Sequence, residues 1–233
     1  MAHPQQQIFI GKLRNQFPDF FQNVRVLEIG SLDINGSIRT QFRDCDYIGL
    51  DLGPGPGVDV VAQGQDYDGA DGSFDTVLSC ETMEHNPFWK ETFENMARLC
   101  RPGGLVIMTC ASTGRREHGT RRTTPRDAPL IPWDYYRNLT ARDLRRAVPV
   151  QEIFSSAMFC RDLSFNDLFF AGFRAGSPPP RGAAAALRRL RNVYLLQNLR
   201  NLSALRAQFL MRLVGEERYL SGPLLRWRRK LVR

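Results

Sequence analysis

Short, uninterrupted runs of apolar residues alternate along the first two thirds of the chain with segments of helical spacing. Five runs predict β-strands, at residues 24–29, 46–50, 58–62, 74–79 and 105–110. Helices are predicted at residues 37–42 and 88–100, the second ended by the turn residues RPGG. Strands that are apolar throughout are buried on both faces, so the pattern predicts a parallel sheet covered by helices, the α/β class.

The chain beyond residue 139 changes the predicted topology at one edge of the sheet. Thr140 is placed to cap a helix over residues 140–148, and strand-like runs follow at residues 150–159 and 168–175. Only residues 160–167 separate these two runs, too few for a parallel crossover, so the strands must pair antiparallel. The predicted architecture is a doubly wound, mostly parallel sheet that ends in an antiparallel hairpin.

Composition divides the chain near residue 176. The segment SPPP at residues 177–180 predicts a stiff linker, and the residues beyond it are rich in Ala, Leu and Arg, which favours helices. The net charge is +8; residues 177–233 carry 13 Lys and Arg against 2 Glu, or +11, while residues 1–176 carry 19 against 22, or −3. We expect a slightly acidic domain at residues 1–176 and a basic helical C-terminal extension at residues 177–233.

The basic extension is open to three interpretations. Leucines at helical spacing with arginines between them are typical of a helix on an anionic membrane surface and of a surface that follows nucleic-acid phosphates. They are also typical of an apolar stripe that docks on its own domain or on a second subunit. Docking is favoured, because the dense basic cluster is confined to residues 226–230. Membrane or nucleic-acid contact stays an alternative, and the oligomeric state is open.

Compartment and metal content are inferred from what the sequence lacks. No stretch approaches the roughly 18 consecutive apolar residues of a membrane span, and the N-terminus has no basic patch followed by an apolar run. The five cysteines form no C-x-x-C pair and receive no role. We expect a cytoplasmic protein, with peripheral membrane contact through the extension as the alternative, and three histidines indicate no metal site.

A glycine turn and an acidic residue mark a candidate nucleotide pocket. Glu28-x-Gly30 ends the first strand, the turn reaches a second glycine at Gly36, and Asp51 ends the second strand. Glycine lets backbone amides approach a ligand, and an acidic side chain about 20 residues later accepts both ribose hydroxyls. The combination is of low specificity, since a single glycine at a strand end is often needed only for the backbone conformation and not for a ligand.

The order of motifs along residues 24–174 resembles the class I S-adenosylmethionine-dependent methyltransferases, in particular their type 11-like domains. The motifs are VLEIG at 26–30, IGLD at 48–51, DGSFDTV at 71–77, SCETMEH at 79–85, LCRPGG at 99–104 and the closing hairpin. Two features depart from the family: the first motif has fewer glycines, and GPGPG at 53–57 replaces a helix. The resemblance implies a Rossmann-like fold and S-adenosylmethionine as the cofactor.

The resemblance also implies a set of cofactor-binding residues at the ends of the first four strands. They are Glu28, Gly30, Ser31, Asp51, Leu52, Gln63, Ser79, Cys80 and Glu81. Among them Asp51 would hold the ribose, Leu52 would lie against adenine, and Gln63 would bond the adenine amino group. Glu28 would organise the first loop, and the residues after the fourth strand would line the sulfonium end.

Acceptor chemistry is assigned to polar residues that follow the fourth and fifth strands. Methyl transfer is an in-line displacement, which needs aligned reactants and a base only where the acceptor loses a proton. His85 and His118 are the candidate catalytic bases, with capping of the following helix as the alternative for His85. The candidate acceptor-binding residues are Arg115, Arg116, Tyr135 and Tyr136, which belong to a basic loop. The alternative interpretation is that this loop is a solvated segment.

These expectations combine into one leading function and two alternatives. We expect an S-adenosylmethionine-dependent methyltransferase that acts on a small-molecule or glycan-like acceptor, at oxygen. The enzymatic alternative is an RNA methyltransferase guided by the basic extension, which the slightly acidic domain disfavours. The other alternative is a non-catalytic binding module that keeps the fold and has lost donor binding, since the glycine motif is incomplete.

Overall fold

The computed structural model describes residues 4–221, which form a seven-stranded sheet with helices on both faces. In chain order its first elements are α1 (Pro4–Gln16), β1 (Arg25–Ile29), β2 (Asp46–Asp51), β3 (Val60–Val61) and β4 (Phe74–Cys80). Next come α2 (Trp89–Leu99), β5 (Cys100–Ala111), α3 (Ala141–Ala147), α4 (Val150–Ile153), β6 (Phe154–Asp162) and β7 (Asp167–Arg174). The last elements are α5 (Ala183–Arg200), α6 (Leu202–Val214) and α7 (Glu216–Ser221).

The strands lie in the order β3-β2-β1-β4-β5-β7-β6. Strands β1 to β5 pair in parallel, whereas β7 runs antiparallel to both β5 and β6. The predicted class, a mostly parallel Rossmann-like sheet with an antiparallel end and a helical C-terminal part, is confirmed. The strand order reverses between β1 and β4, and the carboxyl ends of these two central strands share one edge of the sheet.

Strand β5 separates two hydrophobic cores, as its continuous apolar run predicted. Leu105 belongs to the core that contains Phe9 of α1 and Leu187 of α5. The neighbouring Val106 belongs to the opposite core, together with Phe93 of α2. Helix α1, which has no counterpart among the predicted elements, therefore covers a face of the sheet beside α5.

Three local features of the structure differ from the predicted elements. The helix expected at residues 37–42 is only a 3-10 turn, Ile38–Gln41, because Phe42 is extended and α1 packs against the turn. Strand β5 already begins at Cys100 and runs through the RPGG turn, with a register shift beside Phe74. The expected strand at 150–159 starts with the single helical turn α4. The predicted Thr140 cap is present, with Asp143 completing a capping box.

The C-terminal helices differ in how they use their apolar residues. Leu187, Leu190 and Tyr194 of α5 are buried in the same core as Phe9. The leucines and phenylalanine further along are more than half exposed, namely Leu199, Leu202, Phe209 and Leu213. Every helix within residues 4–221 is too short or too polar to cross a bilayer. The basic cluster at 226–230 lies outside the described residues, and the boundary at residue 176 stays a prediction.

Candidate active site

A cleft with about 670 Å³ of empty space opens at the carboxyl ends of β1, β2 and β4. The edge where strand order reverses is where doubly wound sheets bind ligands. Leu130 and Trp133, from the loop after β5, contribute to its wall. Five of the predicted site residues line it, namely Gly30, Asp51, Leu52, Glu81 and His85.

Asp51 is held at the cleft by two backbone amides. Its Oδ2 accepts from the amide of Leu32 at 2.9 Å, and its Oδ1 accepts from the amide of Leu52 at 2.8 Å. A carboxylate oxygen has two acceptor sites, so both oxygens keep one for a ligand hydroxyl. Ile29, Leu50 and Ala62 add apolar surface to the same region. This end of the cleft therefore offers a fixed acceptor pair beside an apolar wall.

Gly30 allows the turn after β1 to pass close to the segment after β4. Its φ is +83°, and a Cβ at this position would lie 1.9 Å from Oγ1 of Thr82. Both the left-handed backbone conformation and the contact exclude a larger residue. The glycine is thus required by the local geometry of the cleft.

Other predicted cofactor residues lie behind the cleft wall. Glu28 is buried and accepts a 2.6 Å hydrogen bond from the hydroxyl of Tyr47; burial raises the pKa of its carboxyl. Cys80 is fully buried, which raises the pKa of its thiol well above the ordinary range. The hydroxyls of Ser31 and Ser79 are buried and have no hydrogen-bond partner within residues 4–221. These four side chains shape the strand ends from behind.

The structure brings Gln65, rather than Gln63, to the cleft. The Nε2 of Gln65 donates to Oε1 of Gln63 at 2.8 Å, so the exposed Gln63 supports its neighbour. The loop between β3 and β4 has no regular pattern that distinguishes these two amides in the sequence.

On the other side of β1 from Asp51, the cleft is lined by the ring of His85. This ring is 2% exposed and meets the rings of His118 and Tyr136 edge-on, at centroid distances of 4.9 and 5.4 Å. Burial, reinforced by His118, lowers the pKa of His85 to about 3. His118 is half-buried, with its Nδ1 3.0 Å from the carbonyl oxygen of Arg116, and burial lowers its pKa. Of the two predicted catalytic histidines, His85 lines the cleft and His118 packs against its ring.

Glu84, which was not among the predicted site residues, joins the two histidines. Its side chain is fully buried; Oε1 accepts from the amide of Ala111 at 3.1 Å, and Oε2 has no partner within residues 4–221. Burial raises the pKa of this carboxyl to about 7. One carboxylate oxygen and one ring nitrogen each of His85 and His118 lie within 4.8 Å of one another.

Arg115 is paired internally with buried acids. Its Nη1 lies 3.0 Å from Oδ1 of Asp167, and its Nη2 lies 3.8 Å from Oε2 of Glu81. The Nε2 of Gln6 donates to both carboxylates, at 3.0 Å each. Burial, together with the other negative charges in the cluster, raises the pKa of Glu81 and that of Asp167 to about 8. This network fixes the basic loop to α1, β4 and β7.

The remaining predicted acceptor residues are distributed around the loop. Tyr136 packs on the two histidines, and its hydroxyl lies 3.0 Å from Oδ1 of Asn138. Arg116 is exposed and lines a second cavity, between this loop and α7. Tyr135 is half-buried and outside the lining of the cleft. The structure thus separates Arg116 and Tyr135 from the cleft.

A family model described as a methyltransferase domain matches residues 52–108. This segment runs from the loop after β2 through β4 and α2 into β5, and it contains Leu52, Glu81 and His85. No curated protein sequence matches the chain.

Solved structures with a similar fold are distant in sequence. Phosphoethanolamine N-methyltransferase 2 of Haemonchus contortus, in complex with S-adenosyl-L-methionine, is 15% identical, with a TM-score of 0.53 over 74% of this chain and 53% of that one. Its complex with phosphomonomethylethanolamine and S-adenosylhomocysteine is 16% identical, with the same TM-score and coverage. The [4+2]-cyclase SpnF is 11% identical, with a TM-score of 0.50 over 72% of this chain and 81% of that one. The chain spans about half the length of the first solved structures it matches.

In its sheet order, its Gly30 turn, Asp51 and the matched segment, the chain is similar to the class I S-adenosylmethionine-dependent methyltransferase domains. Within that class the chain is similar to the family whose model matches residues 52–108. S-adenosylmethionine is the cofactor of the class, and the cleft fits it, since a fixed carboxylate lies beside an apolar wall.

Proposed function

We propose that this protein transfers the methyl group of S-adenosylmethionine to an oxygen atom of a small-molecule or glycan-like acceptor. The observation that carries the proposal is that one cleft is lined both by Asp51, at the end of β2, and by His85, beyond β4 on the other side of β1. We call these the donor end and the acceptor end. A methyl transfer needs mainly that donor and acceptor be held close and in line, which a single cleft with two distinct ends supports.

The donor end would bind the cofactor through groups that are already in place. Asp51, fixed by the amides of Leu32 and Leu52, would accept the ribose hydroxyls, and Leu52 would contact the adenine ring. Gln65 is the amide available to the adenine amino group at this end. When bound, the cofactor supplies an activated methyl group on a sulfonium. The protein then contributes binding, orientation and exclusion of water.

The acceptor end favours a neutral, hydroxylated acceptor. Arg115 is committed to the buried carboxylates of Glu81 and Asp167, which removes it as an anion-binding group. The rings of His85 and His118 are neutral at pH 7 because burial lowers their pKa values. A neutral imidazole accepts a hydrogen bond from a hydroxyl and orients its oxygen. These two histidines are the groups that would position the acceptor oxygen and receive its proton.

The test is transfer of labelled methyl from S-adenosylmethionine to a panel of sugars, phenols and other alcohols, with total RNA in parallel. We expect label in the small-molecule fraction, in a linkage with the stability of an ether, and its loss in Asp51→Ala. Asp68→Ala is the matched control, because Asp68 is an exposed acid outside the cleft. Label confined to RNA would contradict the proposed acceptor class.

The RNA alternative is favoured by one observation, a row of exposed arginines on α5. They are Arg188, Arg189, Arg191 and Arg200. Removing the extension is a poor test, because Leu187 and Tyr194 of α5 are part of the core. Arg188→Gln with Arg189→Gln keeps the packing and reduces the charge. Strongly salt-dependent RNA binding that this double variant loses would support the alternative.

A further inference from the structure

Glu84, His85 and His118 form a cluster that neither the cofactor nor the proposed acceptor contacts fully explain. Glu84 and His85 lie in the 3-10 turn Met83–His85 directly after β4, and His118 comes from the loop after β5. A carboxylate oxygen of the first and a ring nitrogen of each histidine lie within 4.8 Å of one another. Two separate segments of the chain therefore place three ligand-type atoms around one point.

The loop is shaped to bring His118 onto the turn. Gly119 has a φ of +69°, and a Cβ there would lie 2.7 Å from Cε1 of His85. Only glycine allows this approach, since the conformation and the contact both exclude a side chain. Gly119, the residue after His118, thus lies directly against the ring of His85.

Each member of the cluster has an unused ligand atom. Oε2 of Glu84 and both ring nitrogens of His85 are buried and without a hydrogen-bond partner within residues 4–221. The Nδ1 of His118 is engaged by the carbonyl of Arg116 at 3.0 Å, which leaves Nε2 for a ligand. Buried polar atoms without a partner are costly and uncommon, so their occurrence in both Glu84 and His85, beside His118, points to a bound group.

The donor set favours a first-row transition-metal ion or zinc over magnesium and calcium. Magnesium and calcium select oxygen ligands, whereas two imidazoles with one carboxylate form a typical three-residue zinc site with an open fourth position. A tetrahedral zinc ion holds its ligand atoms about 3.4 Å apart, and the three ligand atoms here lie within 4.8 Å of one another. A backbone carbonyl on the second nitrogen of a ligating histidine is a frequent supporting contact, as at His118.

We propose that Glu84, His85 and His118 bind one Zn²⁺ ion at the acceptor end of the cleft, with the fourth coordination position open to the acceptor oxygen. The role of the open position rests on the proposed function, whereas the three-ligand site does not. With the ion bound, both imidazoles are ligands and would act on the acceptor oxygen through the metal instead of accepting its proton, because a hydroxyl in the open position loses its proton to water more readily. Its oxygen lone pair then forms the O–CH₃ bond while the S–CH₃ bond breaks, and sulfur keeps that electron pair, which releases S-adenosylhomocysteine.

The experiment uses the full chain without a polyhistidine tag, stripped with a chelator. Zn²⁺ per chain is measured by elemental analysis after dialysis, and Co²⁺ is titrated as a probe whose visible absorption reports coordination. We expect one ion per chain and an affinity reduced about 100-fold or more in His118→Gln. His3→Gln, which removes the remaining imidazole of the chain, is the matched control and should bind as the wild type does.

Binding of S-adenosylhomocysteine is measured on the same preparations, to separate the two proposals. Substoichiometric Zn²⁺ in the wild type, or equal affinity in His118→Gln, would overturn the zinc site even where the nucleoside still binds. Stoichiometric zinc without nucleoside binding would uphold the zinc site and contradict the methyltransferase function.

Discussion

The two ends of the cleft are built in different ways. The donor end rests on residues close in sequence, where Asp51 is held by the amides of Leu32 and Leu52. The acceptor end rests on contacts between distant segments, and the bond from Gln6 to Asp167 joins residues 161 positions apart. One end is therefore specified by backbone geometry and the other by balanced buried charges. Substitutions at the donor end should disturb the backbone conformation, and substitutions at the acceptor end should disturb the pairing of buried charges.

The largest effect is expected from removing the cation of the acceptor end. Arg115→Met leaves Glu81 and Asp167 buried without their partner, which should lower the free energy of unfolding by about 4 kcal/mol. Arg116→Met, at the exposed neighbouring position, should change it by less than about 0.5 kcal/mol. Urea unfolding at pH 8 measures both. Equal effects of the two variants would show that the buried network does not stabilise this end.

A somewhat smaller effect is expected from steric change at the donor end. Gly30→Ala introduces a Cβ 1.9 Å from Thr82 Oγ1 at a φ of +83°, and should lower the free energy of unfolding by about 3 kcal/mol. Gly182→Ala is the control, because Gly182 has a φ of +80° and a Cβ added there would meet no atom within 4 Å. The difference between the two losses of unfolding free energy measures the cost of the contact with Thr82. No difference would mean that the turn moves away from Thr82.

The buried acids of the acceptor end predict a pH dependence of stability. The pKa values of Glu81 and Asp167 are about 8 in the folded protein, so between about pH 4 and 8 the folded state binds protons that the unfolded chain has released. Their stabilising effect is complete at low pH and is lost as the pH rises through 8. The free energy of unfolding should therefore fall continuously between pH 5 and 8. Glu81→Gln should flatten this profile, and a profile identical to the wild type would contradict the assignment.

The smallest effect on the free energy of unfolding is expected at Thr140, the residue directly before α3. Thr140 caps α3 through its side chain, which accepts from the amide of Asp143 at 3.2 Å. Thr140→Ala should lower the free energy of unfolding by about 1 kcal/mol and leave S-adenosylhomocysteine binding unchanged. Calorimetry on the variant tests the second part. Weaker nucleoside binding would indicate that the two ends are coupled.

The sheet was predictable because local patterns determine it. Continuous apolar runs identified strands buried on both faces, and the short 160–167 connection required an antiparallel hairpin. Helix α1 was not predicted, since its apolar residues, Phe9, Ile10 and Leu13, are few and lie beside polar glutamines. Its burial depends on α5, almost the whole chain away, which no local pattern contains.

The site was predictable to the extent that it lies at strand ends. Asp51 and Gly30 follow directly from the strand and turn pattern, and the structure places both at the cleft. Glu84 was missed although it adjoins His85, because a carboxylate after a strand is interpreted as a solvated residue unless its burial is known. Arg115 was interpreted as an acceptor ligand, because its partner Asp167 lies 52 positions away. Which buried charges pair with each other depends on the folded structure, and a local sequence pattern does not contain that information.

The central claim is that one cleft has separable donor and acceptor ends. The most direct measurement is calorimetric titration with S-adenosylhomocysteine of the wild type, Asp51→Ala and His118→Ala, with NAD as the control ligand. We predict binding by the wild type to the methyltransferase product alone, affinity about 100-fold lower in Asp51→Ala, and unchanged affinity in His118→Ala. Absence of binding in the wild type, or an equal loss in both variants, would contradict the account.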